Sequence, residues 1–356
     1  MKVALIELNT IHEECLYTQA KFLKDSGFEV TLIIHPKLKK QIVEYENLID
    51  NTVLFNFASS ELFIRKVFSF FRLYKFIVKN NYKRVIFNTA SSKLEIIFLS
   101  LFLPSRIKKI GTIHNLKKLN NSFSQKMISK KLKKYFVIND FLLDTVKIKD
   151  PTIILSSYYP IYFPYKEVKI ENSKDDYCWI CIPGEINYDR RDYRLVLEVA
   201  KRIKKQLKIK FLILGKLDFN KKDSQIFLKD VKENNLQEKF IFFDYFIENS
   251  IFHSYVKKSD FIMFPNTMRN DNYLKYKISG AFNLAFSYKK PLICHNKLKI
   301  IPDLNLNSLF YNNGDDLVSL IENIDKKKEF IKTSYSYSSE KWNYNEQRKK
   351  YISFID

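Results

Sequence analysis

Two stretches carry residue types suited to holding an anion. In Cys181–Tyr193, CIPGEINYDRRDY, an apolar run ends at Pro183-Gly184, Glu185 follows at once, and Arg190 and Arg191 stand at an expected helix start. A strand that ends in a glycine turn and feeds a basic helix start surrounds anionic ligands with backbone N–H groups and positive charge. A plain strand-to-helix connection uses the same residue types. The second stretch is Tyr276–Ile293, YKISGAFNLAFSYKKPLI. Ser279-Gly280-Ala281 is expected to open a helix, whose free N–H groups and dipole suit a diphosphate. Gly280 permits close backbone approach, and Lys275 or Lys277 can add charge. A simple capped helix with Ser279 as N-cap is the plainer alternative. Neither GxGxxG nor a Walker loop occurs among the six glycines, so the signatures of dehydrogenases and P-loop enzymes are absent.

Groups able to move protons lie in the first half. His114 closes the run GTIHN, and His12 with Glu13 stands at the first strand-to-helix turn. A histidine at a strand end can act as a base, bind a hydroxyl or serve only structure. Glu13 equally suits a first helical turn, where the dipole favours a carboxylate. Asn88, Thr89 and Asp140 also fall at expected strand ends, the edge at which open α/β sheets bind ligands. Asp140 suits a helix N-cap as well. Cys178 and Cys181 have the spacing of a redox pair, but on an apolar strand residues three apart diverge to opposite faces. The four cysteines form no disulfide framework, no metal-ligand cluster is apparent, and a reducing compartment fits.

Behind these residues stands a chain of 356 residues, 46% apolar, with a net charge of +22. That length corresponds to roughly two domains. Residues 51–150 hold 20 Lys/Arg against 5 Asp/Glu, a balance that favours anionic partners. Within them, Leu62–Arg84 alternates aromatic and basic residues at helical spacing. It suits a core helix with a solvated basic face, or a helix laid on anionic lipid through Arg65, Lys66, Arg72 and Lys75. No recognised nucleic-acid module accompanies it, so no nucleic-acid partner is expected. No secretory signal is visible. The longest apolar run, Ile96–Leu103, is well short of the ~20 residues a spanning helix needs. A cytoplasmic protein, peripheral at the inner face of the cell membrane, is the expectation.

The elements that position these residues follow a strand-helix rhythm. KVALIEL, a helix over Glu13–Lys24 ending at Gly27, and EVTLII make a βαβ unit, hence a parallel sheet. Arg84–Ala90, a helix over Lys93–Leu103, Ile107–Asn115 and Lys133–Asp140 continue it. Tyr158–Lys174 has prolines and no periodicity and reads as the interdomain connection. The rhythm then restarts at CWICIPG and runs through Lys210–Gly215, Lys239–Phe246, Asp260–Asn266 and Lys290–His295. The expected domains are residues 1–160, a linker at 161–174, and 175–338, with 339–356 as a C-terminal helix able to cross back to the N-terminal domain.

The ordered set PGEI, RRDY, FLILGKL, SDFIMFPN, SGAFNLAF and KKPLI, across about residues 177–295, resembles the C-terminal half of GT-B glycosyltransferases, especially those similar to glycosyltransferase family four. The N-terminal half matches in its βαβ rhythm and in GTIHN. The resemblance implies an α/β fold of two doubly wound Rossmann-like domains facing across a cleft. One would bind a nucleotide-diphosphate sugar, UDP- or GDP-linked, and the other a glycan or lipid-linked acceptor, with no bound cofactor and no metal. Gly184 and Glu185 match the family's glycine turn facing the diphosphate, Arg190 or Arg191 its basic position, and Ser279, Gly280 and Ala281 the helix start under the distal phosphate. His114, His12 and Glu13 would then be catalytic candidates, and Asn88, Thr89 and Asp140 would line the acceptor side. Two glutamates common in relatives are replaced by Tyr276 and Leu284, so ribose recognition and the stereochemical course are left open. A sugar-nucleotide epimerase on the same fold, or a basic nucleic-acid or membrane-binding scaffold, are the alternatives.

Overall fold

A computed structural model of the chain describes residues 1–56, 63–91, 93–269, 272–305, 307–324 and 340–356, without side chains at 63–67 and 340. Leu62, the side chains of Arg65 and Lys66, and the start of the expected helix at Ser339 lie outside the described residues.

The chain divides into two compact units, the first holding Met1–Pro164, Lys275–Ile278 and the C-terminal segment, the second holding Tyr165–Leu274 and the chain that follows Ser279. In the first, strands β1 (Lys2–Glu7), β2 (Glu29–Ile34), β3 (Asn51–Leu54), β4 (Arg84–Phe87), β5 (Lys108–Thr112), β6 (Lys134–Ile138) and β7 (Ile154–Tyr158) form a sheet of order β3-β2-β1-β4-β5-β6-β7. Its helices are α1 (Leu16–Lys24), α2 (Phe63–Lys79), α3 (Leu94–Phe102), α4 (Lys117–Asn121) and α5 (Phe123–Ser129). Every pairing is parallel, and β1, β2 and β4 are buried almost end to end, as strands covered by helices on both faces must be.

The second unit repeats the plan. Strands β8 (Cys178–Pro183), β9 (Ile209–Lys216), β10 (Phe240–Phe243), β11 (Phe261–Phe264), β12 (Leu292–His295) and β13 (Ser308–Tyr311) run in order β10-β9-β8-β11-β12-β13, all parallel. Helices α6 (Tyr193–Arg202), α7 (Lys222–Glu233), α8 (Asn249–Lys258), α9 (Gly280–Tyr288), α10 (Pro302–Asn305) and α11 (Gly314–Glu322) accompany them. Both sheets therefore reverse direction beside their first strand, between β1 and β4 and between β8 and β11. Those reversals are where ligand crevices open in this class of fold.

Several expectations need correction. β3, β7 and β13 escaped the sequence reading because each has only four or five residues and none alternates cleanly. β10 stops at Phe243, three residues before the expected end. α6 ends at Arg202, four residues before the expected Gln206, while its start at Tyr193 is as expected: Arg190 and Arg191 lie just before it, and Asp192 is the N-cap, accepting from Leu195 N at 3.0 Å. The division between the units falls at Pro164, inside the stretch 161–174 expected as linker, where Tyr162 exchanges hydrogen bonds with Thr18 in the first unit and Val168 N donates to Ser254 Oγ in the second.

Local signals account for the helix ends. Gly27, at φ +77°, closes α1 with Phe28 N bonded to Leu23 O and Gly27 N to Lys24 O, the paired 6→1 and 5→2 bonds of a left-handed helix terminus. The last helix, α12 (Tyr344–Ile355), packs in the first unit. Tyr351 and Ile355 are fully buried in its core, Tyr351 stacks on Phe136 with ring centroids 4.5 Å apart, and Arg84 Nε donates to Ile355 O at 2.9 Å.

Candidate functional site

At the reversal of the second sheet, β8 ends in a tight turn. Gly184 has φ +99°, a conformation costly for any residue with a Cβ. A Cβ there would also run into the Arg191 guanidinium, and one on Gly215 would collide with the Gly184 carbonyl. Gly215 thus lets the turn lie directly over β9, and its signal was a glycine inside an apolar strand. Arg191 is buried, and its guanidinium donates to Pro183 O at 2.5 Å and Glu185 O at 3.1 Å, so it braces the turn. Arg190 is exposed, and its carbonyl accepts from Asn266 Nδ2 at 3.1 Å, tying the loop after β8 to the loop after β11. Glu185 is exposed and pairs with Lys221 at 2.5 Å.

α9 begins at the same carboxyl edge. Ser279 caps it, accepting from Ala281 N at 3.3 Å, and both residues are buried. Gly280 is exposed, and a Cβ on it would meet nothing within 4 Å. The second unit therefore presents a glycine turn and an open helix N-terminus together, an arrangement able to hold an anion. Lys275 and Lys277 lie on a segment grouped with the first unit, where Lys275 O accepts from Thr145 Oγ1 at 2.7 Å and Tyr276 O from Leu116 N at 2.9 Å.

At the reversal of the first sheet stands a polar cluster. Glu7 is buried at the end of β1. Its Oε1 accepts from Asn9 N and Nδ2, both at 2.7 Å, and its Oε2 from Asn88 Nδ2 at 2.7 Å and Thr89 Oγ1 at 2.5 Å. Burial raises its pKa against the pull of those donors. Asn88 is wholly buried: its amide also donates to His12 O at 2.8 Å and accepts from Gln19 Nε2 at 2.5 Å. Asn88 and Thr89 hold Glu7 and His12 in place, so their side chains are taken up within the unit. Asp140 is engaged as well, by Ser157 Oγ, by Lys350 Nζ at 2.7 Å and by Lys341.

His114 and His12 come together. Their rings stack with centroids 3.8 Å apart at 14°. His114 Nε2 lies 2.8 Å from Asn88 O, which fixes the proton on Nε2. Burial, then the neighbouring His12, pushes the His114 pKa down to about 3, which makes it a feeble base. His12 has left-handed backbone, φ +69°, and its Nδ1 lies 3.4 Å from Glu14 Oε1. Burial lowers its pKa, but the Glu14 hydrogen bond and charge outweigh that and leave it raised. Glu13, one residue earlier, is buried. Glu14 was overlooked because nothing in HEE tells which carboxylate the His12 backbone turns toward. Among the described residues no group of three or more His, Cys, Asp or Glu could hold a metal ion, and no helix is long and apolar enough to cross a membrane.

No family model and no curated protein matches the chain. Solved structures do match over its whole length. Anabaena HepE in complex with UDP and glucose is 8% identical at a TM-score of 0.70, covering 99% of this chain and 98% of that one. A glycosyltransferase from Rickettsia africae is 14% identical at 0.61, covering 100% and 94%. The chain has the GT-B fold. A UDP-N-acetylglucosamine 2-epimerase shares it, at 11% identity and a TM-score of 0.63 over 99% of this chain and 94% of that one. The resemblance to GT-B glycosyltransferases, drawn from motifs between residues 177 and 295, thus extends as a fold to the entire chain.

Proposed function

We propose that this GT-B protein is a glycosyltransferase that moves a sugar from a nucleotide-diphosphate sugar to a glycan or lipid-linked acceptor. The observation that carries the reading is the pairing, at the carboxyl edge of the second sheet, of the braced Gly184 turn with the open Gly280 start of α9. Backbone N–H groups and the helix dipole there suit a diphosphate as negative charge grows on it in the transition state. Arg190 would add its charge, and Lys275 and Lys277 theirs, while Glu185 with Lys221 would border the donor. UDP in the HepE complexes favours a uridine over a guanosine donor. His12, His114 and Glu13 would stand on the acceptor side, with Asn88, Thr89 and Asp140 behind them. The basic first unit would rest on anionic lipid at the inner membrane face.

A thermal-shift titration with UDP and GDP tests the donor half. Binding to the folded state alone adds about 2.7 kcal/mol of stability at a hundredfold excess over Kd and so raises the melting temperature. The epimerase relatives support a second reading. Incubation with UDP-N-acetylglucosamine and no acceptor separates the two: an epimerised free nucleotide-sugar favours the epimerase.

A further inference from the structure

We propose that the first unit holds an anion site of its own, a lysine-lined pocket that takes a small molecule bearing a phosphomonoester or diphosphate group. A cavity of about 360 Å³ opens between α4, α5 and the chain that leads into β7. That volume lies within the range of small-molecule pockets, toward its lower end, and suits a phosphorylated metabolite. Its wall carries four lysines, Lys126, Lys130, Lys133 and Lys149, against one carboxylate, Asp150. Leu119 and Ile153 add an apolar side for the rest of the guest. The pocket lies on the other side of α4 from the His12 cluster. Lys118 reaches Ser91 Oγ at 3.2 Å and acts on His12, whereas Asn120, in the pocket wall, stands about 200° further round the helix.

The single carboxylate is already engaged. Asp150 Oδ1 accepts from Thr152 N at 2.9 Å and Thr152 Oγ1 at 2.5 Å, and its Oδ2 accepts from Lys133 Nζ at 3.0 Å. The Thr152 and Lys133 donors hold its carboxyl down at about 2, so it stays charged and matched to Lys133. Among the described residues, Lys126, Lys130 and Lys149 have no carboxylate partner. Lys126 and Lys130 stand four residues apart on one helical face, where like charges repel. A phosphate group accepting from these ammonium ions offsets that repulsion with charge-assisted hydrogen bonds. The frame around them is tied down. Asn120 Nδ2 donates to Lys147 O and its Oδ1 accepts from Lys149 N, both at 2.9 Å, which fastens the segment before β7 to α4. Tyr135 is buried and keeps its proton, since burial pushes its pKa up to about 12. Its Oη accepts from Gln125 Nε2 at 3.1 Å and gives its own proton to Ser129 Oγ at 2.8 Å. Ser129, buried in the pocket wall, therefore keeps its hydroxyl proton for the guest.

The test uses the full chain, with sodium pyrophosphate as the soluble probe and lysine acylation read by mass spectrometry. Pyrophosphate should protect Lys126, Lys130 and Lys149 and leave the exposed Lys205 of the second unit unchanged. Protection no greater than sodium chloride gives at equal ionic strength means screening alone and overturns the site. The concentration that half-protects Lys149 gives the affinity at this pocket, whatever else pyrophosphate binds. Lys126→Gln with Lys130→Gln should raise that concentration about tenfold or more at an unchanged melting temperature. Asp150→Asn keeps an acceptor for Thr152 N but removes the opposing charge, and should lower it severalfold. Half-protection that stays at the wild-type concentration in both variants overturns the proposal. Phosphatidylcholine vesicles with and without phosphatidic acid distinguish the source of the phosphate. Protection by the phosphatidic acid vesicles as well assigns it to a lipid headgroup, and protection by soluble pyrophosphate alone to a free metabolite. None of these outcomes depends on the glycosyltransferase reading.

Discussion

Gly184, Gly215 and Gly280 differ in what an added side chain would meet, and their variants should separate folding from binding. At Gly280 nothing lies within 4 Å, so Gly280→Val should keep the melting temperature close to wild type and lose the UDP-induced shift. At Gly215 an added methyl strikes the Gly184 backbone, so Gly215→Ala should destabilise by about 1–3 kcal/mol. The two arginines should part company in the same way. Arg191→Ala strips the donors from Pro183 O and Glu185 O and should cost about 1–3 kcal/mol in denaturant unfolding. Arg190→Ala should leave stability alone and weaken UDP binding. Unchanged UDP affinity in both Gly280→Val and Arg190→Ala would remove the diphosphate from this place. Much of this was legible in the sequence: PGE after an apolar run and SGA before one are local signals. The bracing role of Arg191 was not, because it depends on a guanidinium folding back across the turn, and adjacent arginines read alike in one dimension.

Helices α2 and α3 raise a question of surface. Phe68, Phe71, Arg72, Lys75 and Lys79 are exposed at positions that share one face of α2, and Leu94, Phe98 and Phe102 are exposed along α3. The two helices meet where Phe70 packs on Phe98, centroids 4.8 Å apart. Aromatic side chains beside lysine and arginine match the chemistry of an interfacial helix. Vesicle binding should therefore need anionic lipid and fall with salt, since the screening length shrinks from about 10 Å at 0.1 M to about 3 Å at 1 M. Arg72→Glu with Lys75→Glu should abolish it, and Phe98→Ser with Phe102→Ser should weaken it, both with UDP affinity intact. Binding that ignores salt and charge would leave the patch a solvated face. The periodicity of α2 was readable in the sequence, but the apolar face of α3 was not: apart from Glu95 and Ser100 LEIIFLSLF is apolar, and only the packing tells which side is left outside.

Each of the two units carries a histidine kept neutral by burial, and the molecule should register both as it is acidified. His114 in the first and His253 in the second, the latter bonded to Tyr288 Oη at 2.6 Å, have pKa values pushed down to about 3. In the unfolded chain both take up a proton below ~6.5. Between those values the unfolded state binds more protons, so their share of stability is complete above pH ~6.5 and falls as the pH drops toward 3, by up to about 1.4 kcal/mol per pH unit for each group. His253→Gln should flatten the decline of the melting temperature between pH 6 and pH 4 relative to wild type. Equal slopes would mean that His253 accepts a proton in the folded state. The doubly wound order of both sheets could be foreseen from the rhythm of strands and helices. The placement of the final helix could not, because the aromatic partners of Tyr351 lie more than 190 residues away in sequence. That placement bears on biosynthesis. The core of the first unit stays open along Phe136 and Phe22 until α12 is made, so the half of the protein translated first is completed last. The nascent N-terminal portion must wait, with apolar surface uncovered, while the second unit emerges and can fold. A ribosome-stalled chain lacking 340–356 should accordingly be sensitive to protease in its first unit, and a synthetic α12 peptide added in trans should restore resistance.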